Sequence, residues 1–320
     1  MKMSHWKRAL GRAGLLVEMV VLCERGLPAD RQEAVVPPSA QDPRPAFRAG
    51  VEAVSVDVSV QRSGRPVTNL RVEEFEVLDN GVGQDIVDFT YEKLPIDLTV
   101  AFDVSASVTS RLLSQLHEAM QELRKDLVTG DRLRLLTFNH KVQRAVDLSD
   151  SPAAIDTAFE RIRTAGMSAI LDTLAVALTA HAPPDRRHMV VVFSDGQDTS
   201  SVNDATVVLD IVRRTTPAVY IVLPPAVAPG GPQFSLYTPA TSASREAFLR
   251  IADESGGAVL TVGPRDNPSG AFRRALSEFR SSYVLRFVPT GVDRIGVHQL
   301  TVRVKRDGVE VRARREYVRR

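Results

Sequence analysis

Two acidic and three hydroxyl side chains, spread over three distant fragments, form the group in this chain best equipped for chemistry. The fragments are Asp103-Val104-Ser105-Ala106-Ser107, then Ser168, then Ser194-Asp195-Gly196. Every donor is an oxygen and every side chain is small. A hard divalent cation such as Mg²⁺ asks for that set, near-octahedral and at roughly 2.0–2.1 Å. Two carboxylates neutralise the ion and leave it room for an acidic group from another molecule. Each fragment alone has a plainer reading. Ser and Asp make good helix caps, so Ser107 could simply cap the helix that follows it. Ser194-Asp195-Gly196 alone is an ordinary strand-to-turn sequence.

The fragments can share an ion only if the elements around them end at one place. Ile96 to Phe102 reads as a largely apolar, buried parallel strand ending at Asp103, and His188 to Phe193 reads as another ending before Asp195. Between and after them, strand-like runs alternate with helical spacing such as Leu112, Leu113, Leu116, Met120 and Leu123. Further helices are expected over Ala153–Arg163, Ala169–Ala180, Ala205–Arg214, Arg245–Ser255 and Ala271–Phe279, so that Ser168 opens a helix. Such alternation over residues 95–282 predicts an α/β fold, a doubly wound, mostly parallel sheet with helices on both faces. Ligands bind such sheets outside the carboxyl ends of the strands, where strand order reverses. Both aspartates would arrive there.

The flanks have a different texture. Val54, Val56, Val58 and Val60 alternate with polar residues, and Asn80-Gly81 between strand-like runs signals a hairpin. Past residue 282, Tyr283 to Val288, Leu300 to Val304 and Val309 to Ala313 again read as short strands. Neither set suffices for a stable sheet, so residues 50–94 and 283–320 are expected to form one small β-sandwich around the inserted α/β domain. The cluster Arg312 to Arg315 is expected to be a solvated strand edge.

Residues 1–29 place basic residues before the apolar stretch Ala13 to Leu22, the order of a secretory signal, and residues 30–49 read as a Pro-rich linker. The expected location is therefore extracytoplasmic: secreted, periplasmic or in the cell envelope. Membrane association would come only through that segment if it stays uncleaved. Cys23 is the only cysteine, which excludes an intrachain disulfide and a thiolate metal site. A net charge of +2 in 320 residues gives no reason to expect a nucleic-acid partner.

The three fragments, in this order and on these elements, resemble the metal-ion-dependent adhesion site of von Willebrand factor type A (VWFA) domains. The flanks are similar to bacterial "VWFA-related" proteins: Pro66 to Leu70, Glu73 to Val77 and Asp79-Asn80-Gly81 ahead of the site strand, then Tyr283-Val284-Leu285 and Arg315-Glu316-Tyr317 at the end. The resemblance implies that Asp103, Ser105, Ser107, Ser168 and Asp195 ligate Mg²⁺ (or Mn²⁺ or Ca²⁺), and that an Asp or Glu of a protein partner completes the coordination. Ser168 stands where the family usually has threonine, keeping the hydroxyl but losing the methyl that stiffens χ1. Asp198 is a candidate for holding a metal-bound water, and Asp172 for a supporting carboxylate; the competing readings are a solvated turn and a surface helix position. The Pro/Gly-rich loop 224–244, with Phe234 and Tyr237, should project from the same edge as a ligand-contacting loop or a mobile insertion.

Six histidines, His5, His117, His140, His181, His188 and His298, show no metal-type spacing. There is no His-Glu-x-x-His, phosphate-binding loop or nucleophile elbow. The expectation is a binding and adhesion module, not an enzyme. The alternatives are an assembly subunit without functional metal and a Mg²⁺-dependent hydrolase.

Overall fold

Alternating valines make the first long strand one-sided: Val56, Val58 and Val60 are buried in β1 (Val54–Arg62), and β2 (Arg65–Pro66) folds back on it. The hairpin of β3 (Phe75–Asp79) and β4 (Val82–Gln84) turns at Asn80 and Gly81, both with positive φ, as a tight two-residue turn requires. β5 (Ile86–Tyr91) closes the leading segment. This computed structural model describes residues 53–91, 94–149, 152–180, 183, 185–223, 242–263 and 266–320. The segments 1–29 and 30–49, and Phe234 and Tyr237, lie outside the described residues.

The middle of the chain alternates as its spacing predicts. β6 (Ile96–Asp103), α1 (Ser110–Lys125), β7 (Arg132–Phe138), β8 (Val142–Ser149), α2 (Pro152–Arg161) and α3 (Ile170–Thr179) come first. β9 (Arg187–Phe193), α4 (Ala205–Arg214), β10 (Ala218–Leu223), α5 (Ser242–Ser255), β11 (Ala258–Thr261) and α6 (Ser269–Arg280) follow. Their strands form a sheet in the order β11-β10-β9-β6-β7-β8, parallel throughout except for the antiparallel edge strand β8. Because side chains alternate across a strand, successive residues of β6 feed two cores. Leu98, Val100 and Phe102 pack with α1, α2 and α6, while Ala101 packs with α3, α4 and α5. Among the described residues no helix is long and apolar enough to cross a membrane.

The chain ends with β12 (Tyr283–Phe287), β13 (Gly296–Val304), β14 (Glu310–Ala313) and β15 (Glu316–Arg319). These interleave with the leading strands. One sheet runs β14-β1-β12-β5 and the other β15-β13-β3-β4, so each mixes strands from both ends of the chain. Val58 pairs with Tyr283, and Val77 with Val302. The two sheets share one core, in which Val56, Val58 and Leu285 meet Phe75, Val77 and Leu300.

The arginine cluster near the chain's end does lie at sheet edges, β14 and β15, but only Arg315 in it is solvated. Arg314 is buried, donates to the carbonyls of Val212 and Thr215 at 2.8 and 2.5 Å, and has its pKa pulled down to about 10 by that burial. Arg312 pairs with Glu278 of α6, and Arg315 with Asp253 of α5 at 2.8 Å. The α4 carbonyls and the α5 and α6 carboxylates supply the acceptors that these cations face. A second tie is Arg187, which bonds Asp57 at 2.6 Å and the Phe279 carbonyl at 2.5 Å, with its guanidinium over the Phe279 ring.

Candidate metal centre

Strand order sets the place. The chain moves from β6 to β7 on one side, then returns to lay β9 on the other, so order reverses at β6. Asp103 ends β6, and Asp195 lies two residues past the end of β9, its neighbour. Their carboxylates emerge at the crevice between those strands, as ligand groups do in open α/β sheets.

The structure brings all five expected residues together there. The Ser168 hydroxyl donates to Asp103 Oδ2 at 2.7 Å, and Ser107 to Asp195 Oδ2 at 2.9 Å. The Ser105 and Ser107 hydroxyls lie 3.0 Å apart, and the Ser105 amide donates to Asp103 Oδ1 at 2.9 Å. Ser107 does not cap α1: Thr109 does, its side chain accepting from the Leu112 amide at 3.2 Å. Nor does Ser168 open a helix. The cap position of α3 is Ala169, and Ser168 sits before it in a loop. That loop is held from outside. The Ser168 amide donates to Thr199 Oγ1 at 2.9 Å, and its carbonyl accepts from the amides of Thr199 and Ser200.

Two contributors escaped the sequence reading. Ser194 donates to Asp103 Oδ2 at 2.7 Å, and Thr199 braces Ser168. The first was within the quoted fragment; its strand-end position, facing Asp103 from the adjacent strand, was the available signal. Asp198 and Asp172 are both half-buried and both accept backbone amides. Asp198 accepts from the Leu171 amide at 2.8 Å and from Ser201, capping the start of α3. Asp172 accepts from the amides of Val202 and Asn203, and these bonds outweigh burial and lower its pKa. Both fix the loop 198–204 that supports Ser168. His140 lies one loop away, its ring against Gly166.

Electrostatically the site is unbalanced. Asp103, Ser105, Ser168 and Ser194 are buried, while Ser107 and Asp195 are half-buried and face the opening. Among the described residues, every hydrogen bond onto the two carboxylates comes from a hydroxyl or a backbone amide. Burial pushes the Asp195 carboxyl up, and the Asp103 charge pushes in the same direction. Two like charges thus share a pocket with hydroxyl oxygens whose lone pairs remain available. The donor set fits a hard divalent cation. Among the described residues there is no cluster of three or more His, Cys, Asp or Glu placed to hold a metal.

One family model and several known proteins are similar to parts of this chain. The family model described as von Willebrand factor type A domain matches residues 98–197. An uncharacterized protein, sll0103 of Synechocystis sp., is 27% identical over 124 residues, 38% of this chain and 30% of that protein. The match therefore spans less than a third of that relative's length. A von Willebrand factor type A structure from Catenulispora acidiphila is 12% identical, covering 85% of this chain and 74% of that one at a TM-score of 0.46. Proximal thread matrix protein 1 from the mussel byssus, solved with a zinc-occupied MIDAS motif, is 14% identical, covering 63% and 49% at 0.47. At such scores the structural likenesses carry no argument about this chain's chemistry. The family match starts inside the strand that ends in Asp103 and stops just past Asp195, so this chain carries, over residues 98–197, a region that matches the von Willebrand factor type A domain.

Proposed function

We propose that this protein is a metal-ion-dependent protein-binding module acting outside the cytoplasm. In this reading Asp103, Ser105, Ser107, Ser168 and Asp195 hold one Mg²⁺ (or Mn²⁺ or Ca²⁺), and a partner's Asp or Glu carboxylate binds there too. The family commonly mediates protein–protein interaction. One observation carries the proposal: five oxygen-bearing side chains meet at the strand-order reversal, and among the described residues no basic side chain hydrogen-bonds to either carboxylate. When bound, the cation supplies a Lewis-acidic point that attracts a carboxylate. The chain's own residues arrange that point. Ser168 and Ser194 orient Asp103, Asp198 and Thr199 hold the Ser168 loop, and Ser107 and Asp195 form the accessible side. Among the described residues no histidine or third carboxylate hydrogen-bonds into the network to act as a general base. That favours binding over hydrolysis.

We further read residues 95–282 as a doubly wound domain inserted in a β-sandwich made by residues 50–94 and 283–320, and residues 1–29 as the export signal. The test is a pull-down from the native envelope fraction with the full chain. Partner capture should be lost in EDTA and lost with Asp103→Ala. Capture that survives both would place the protein among assembly subunits that need no metal.

A further inference from the structure

A groove of about 340 Å³ lies beside the candidate cation site, walled by β7, β8 and α2. Its lining adjoins the site through two residues. Val104, the residue after Asp103, lines it. Asn139, another wall residue, bonds the Ser168 loop twice: its Nδ2 donates to the Ala165 carbonyl at 2.8 Å, and its carbonyl accepts from the Ala169 amide at 2.9 Å. Lys141, Arg161 and Arg163 line the groove, all exposed, and among the described residues no Asp or Glu lines it. Arg163 is steadied by the carbonyls of Glu160 and Ile162, each at 2.8 Å. Lys141 and Arg161 form no ion pair with any described residue, although this surface is rich in arginine–carboxylate pairs elsewhere.

Three cations lining one concave surface with no acid among them raise the local concentration of anions. We infer that this groove is a second contact for the partner, taking the acidic side chains that neighbour the carboxylate at the cation. The partner is thus a polypeptide segment with several Asp or Glu residues, not one isolated carboxylate. The register of that segment rests on the cation-site reading above. An acidic polypeptide is favoured over single-stranded nucleic acid because among the described residues no aromatic side chain lines the groove to stack bases.

Fluorescein-labelled octaglutamate, followed by anisotropy with the full chain, tests the inference. With Mg²⁺ present, the Lys141→Gln/Arg161→Gln double variant should bind roughly tenfold more weakly than wild type. Its calorimetric Mg²⁺ affinity and melting temperature should match wild type. The charge-keeping Lys141→Arg/Arg161→Lys variant should bind octaglutamate as wild type does. Equal binding by wild type and the double glutamine variant would overturn the groove assignment. Equal binding of octathymidylate at the same salt would overturn the acidic-polypeptide assignment. Wild-type binding that ignores EDTA would instead overturn the cation reading, and the comparison between variants would still report on the groove.

Discussion

Asp195 bears an electrostatic cost that a bound cation would remove. Burial raises its pKa, the Gln197 amide opposes, and the Asp103 charge raises it again. The sign follows directly. The folded protein holds the Asp195 proton more tightly than the unfolded chain, whose carboxyl has a pKa near about 3.9. Stability is therefore lost as pH rises from that value through the raised folded value. In EDTA at neutral pH, Asp195→Asn should raise the melting temperature. The same substitution should abolish the stabilisation that Mg²⁺ gives wild type, about 2.7 kcal/mol at a hundredfold excess over its Kd. A lower melting temperature in EDTA, or an undiminished Mg²⁺ effect, would contradict this account. Gly166 offers a second test. Its φ is +80°, and a Cβ there would meet His140 Nδ1 at 2.5 Å, while its carbonyl accepts from the Ala106 amide. Gly166→Ala should cost about 1–3 kcal/mol of strain, checked by urea denaturation, and weaken Mg²⁺ binding by displacing the Ser168 loop, checked by calorimetric titration. At this scale the sequence made the five oxygens legible, since residue type, order and flanking strands all pointed the same way. The roles of Asp172, Asp198 and Thr199 were not legible, because each depends on which amide a loop some 30 residues away presents.

Elements were legible where periodicity was strong. Helix spacing placed α4 at its observed bounds, and other helix boundaries moved by a few residues. The arginine-rich tail lies at sheet edges as expected, but the burial of Arg314 was not legible because sequence cannot say what lies opposite a strand. Its cations face the carboxylates and helix-end carbonyls of α4, α5 and α6. Arg187 does the same work at the start of β9: its guanidinium joins Asp57 of β1 to the Phe279 and Arg280 carbonyls that end α6. A cation there also favours the helix dipole. Arg187→Met keeps the aliphatic stem but leaves those carbonyls and Asp57 without their partner. It should lower unfolding free energy by about 2–4 kcal/mol, measured by urea denaturation. A loss under about 0.5 kcal/mol, the range of ordinary surface changes, would refute the clamp.

Across the whole molecule, the ends of the chain complete each other. β12 lies between β1 and β5, and β13 lies between β3 and β15, so removing residues past 282 takes the central neighbours from both sheets. A chain ending at residue 282 should expose residues 53–91 to rapid limited proteolysis and fast amide exchange. Full protection of that segment would show that the leading strands stand alone. The short strands at each end announced this partnership in sequence, but which strand would sit beside which depended on tertiary packing. Everything functional in the account depends on the crevice between β6 and β9. The most direct measurement is anomalous scattering at the manganese edge from crystals of the full chain soaked in Mn²⁺. The account predicts a single strong peak among the side-chain oxygens of Asp103, Ser105, Ser107, Ser168 and Asp195. No peak there, at Mn²⁺ levels that saturate a control VWFA protein, would contradict it.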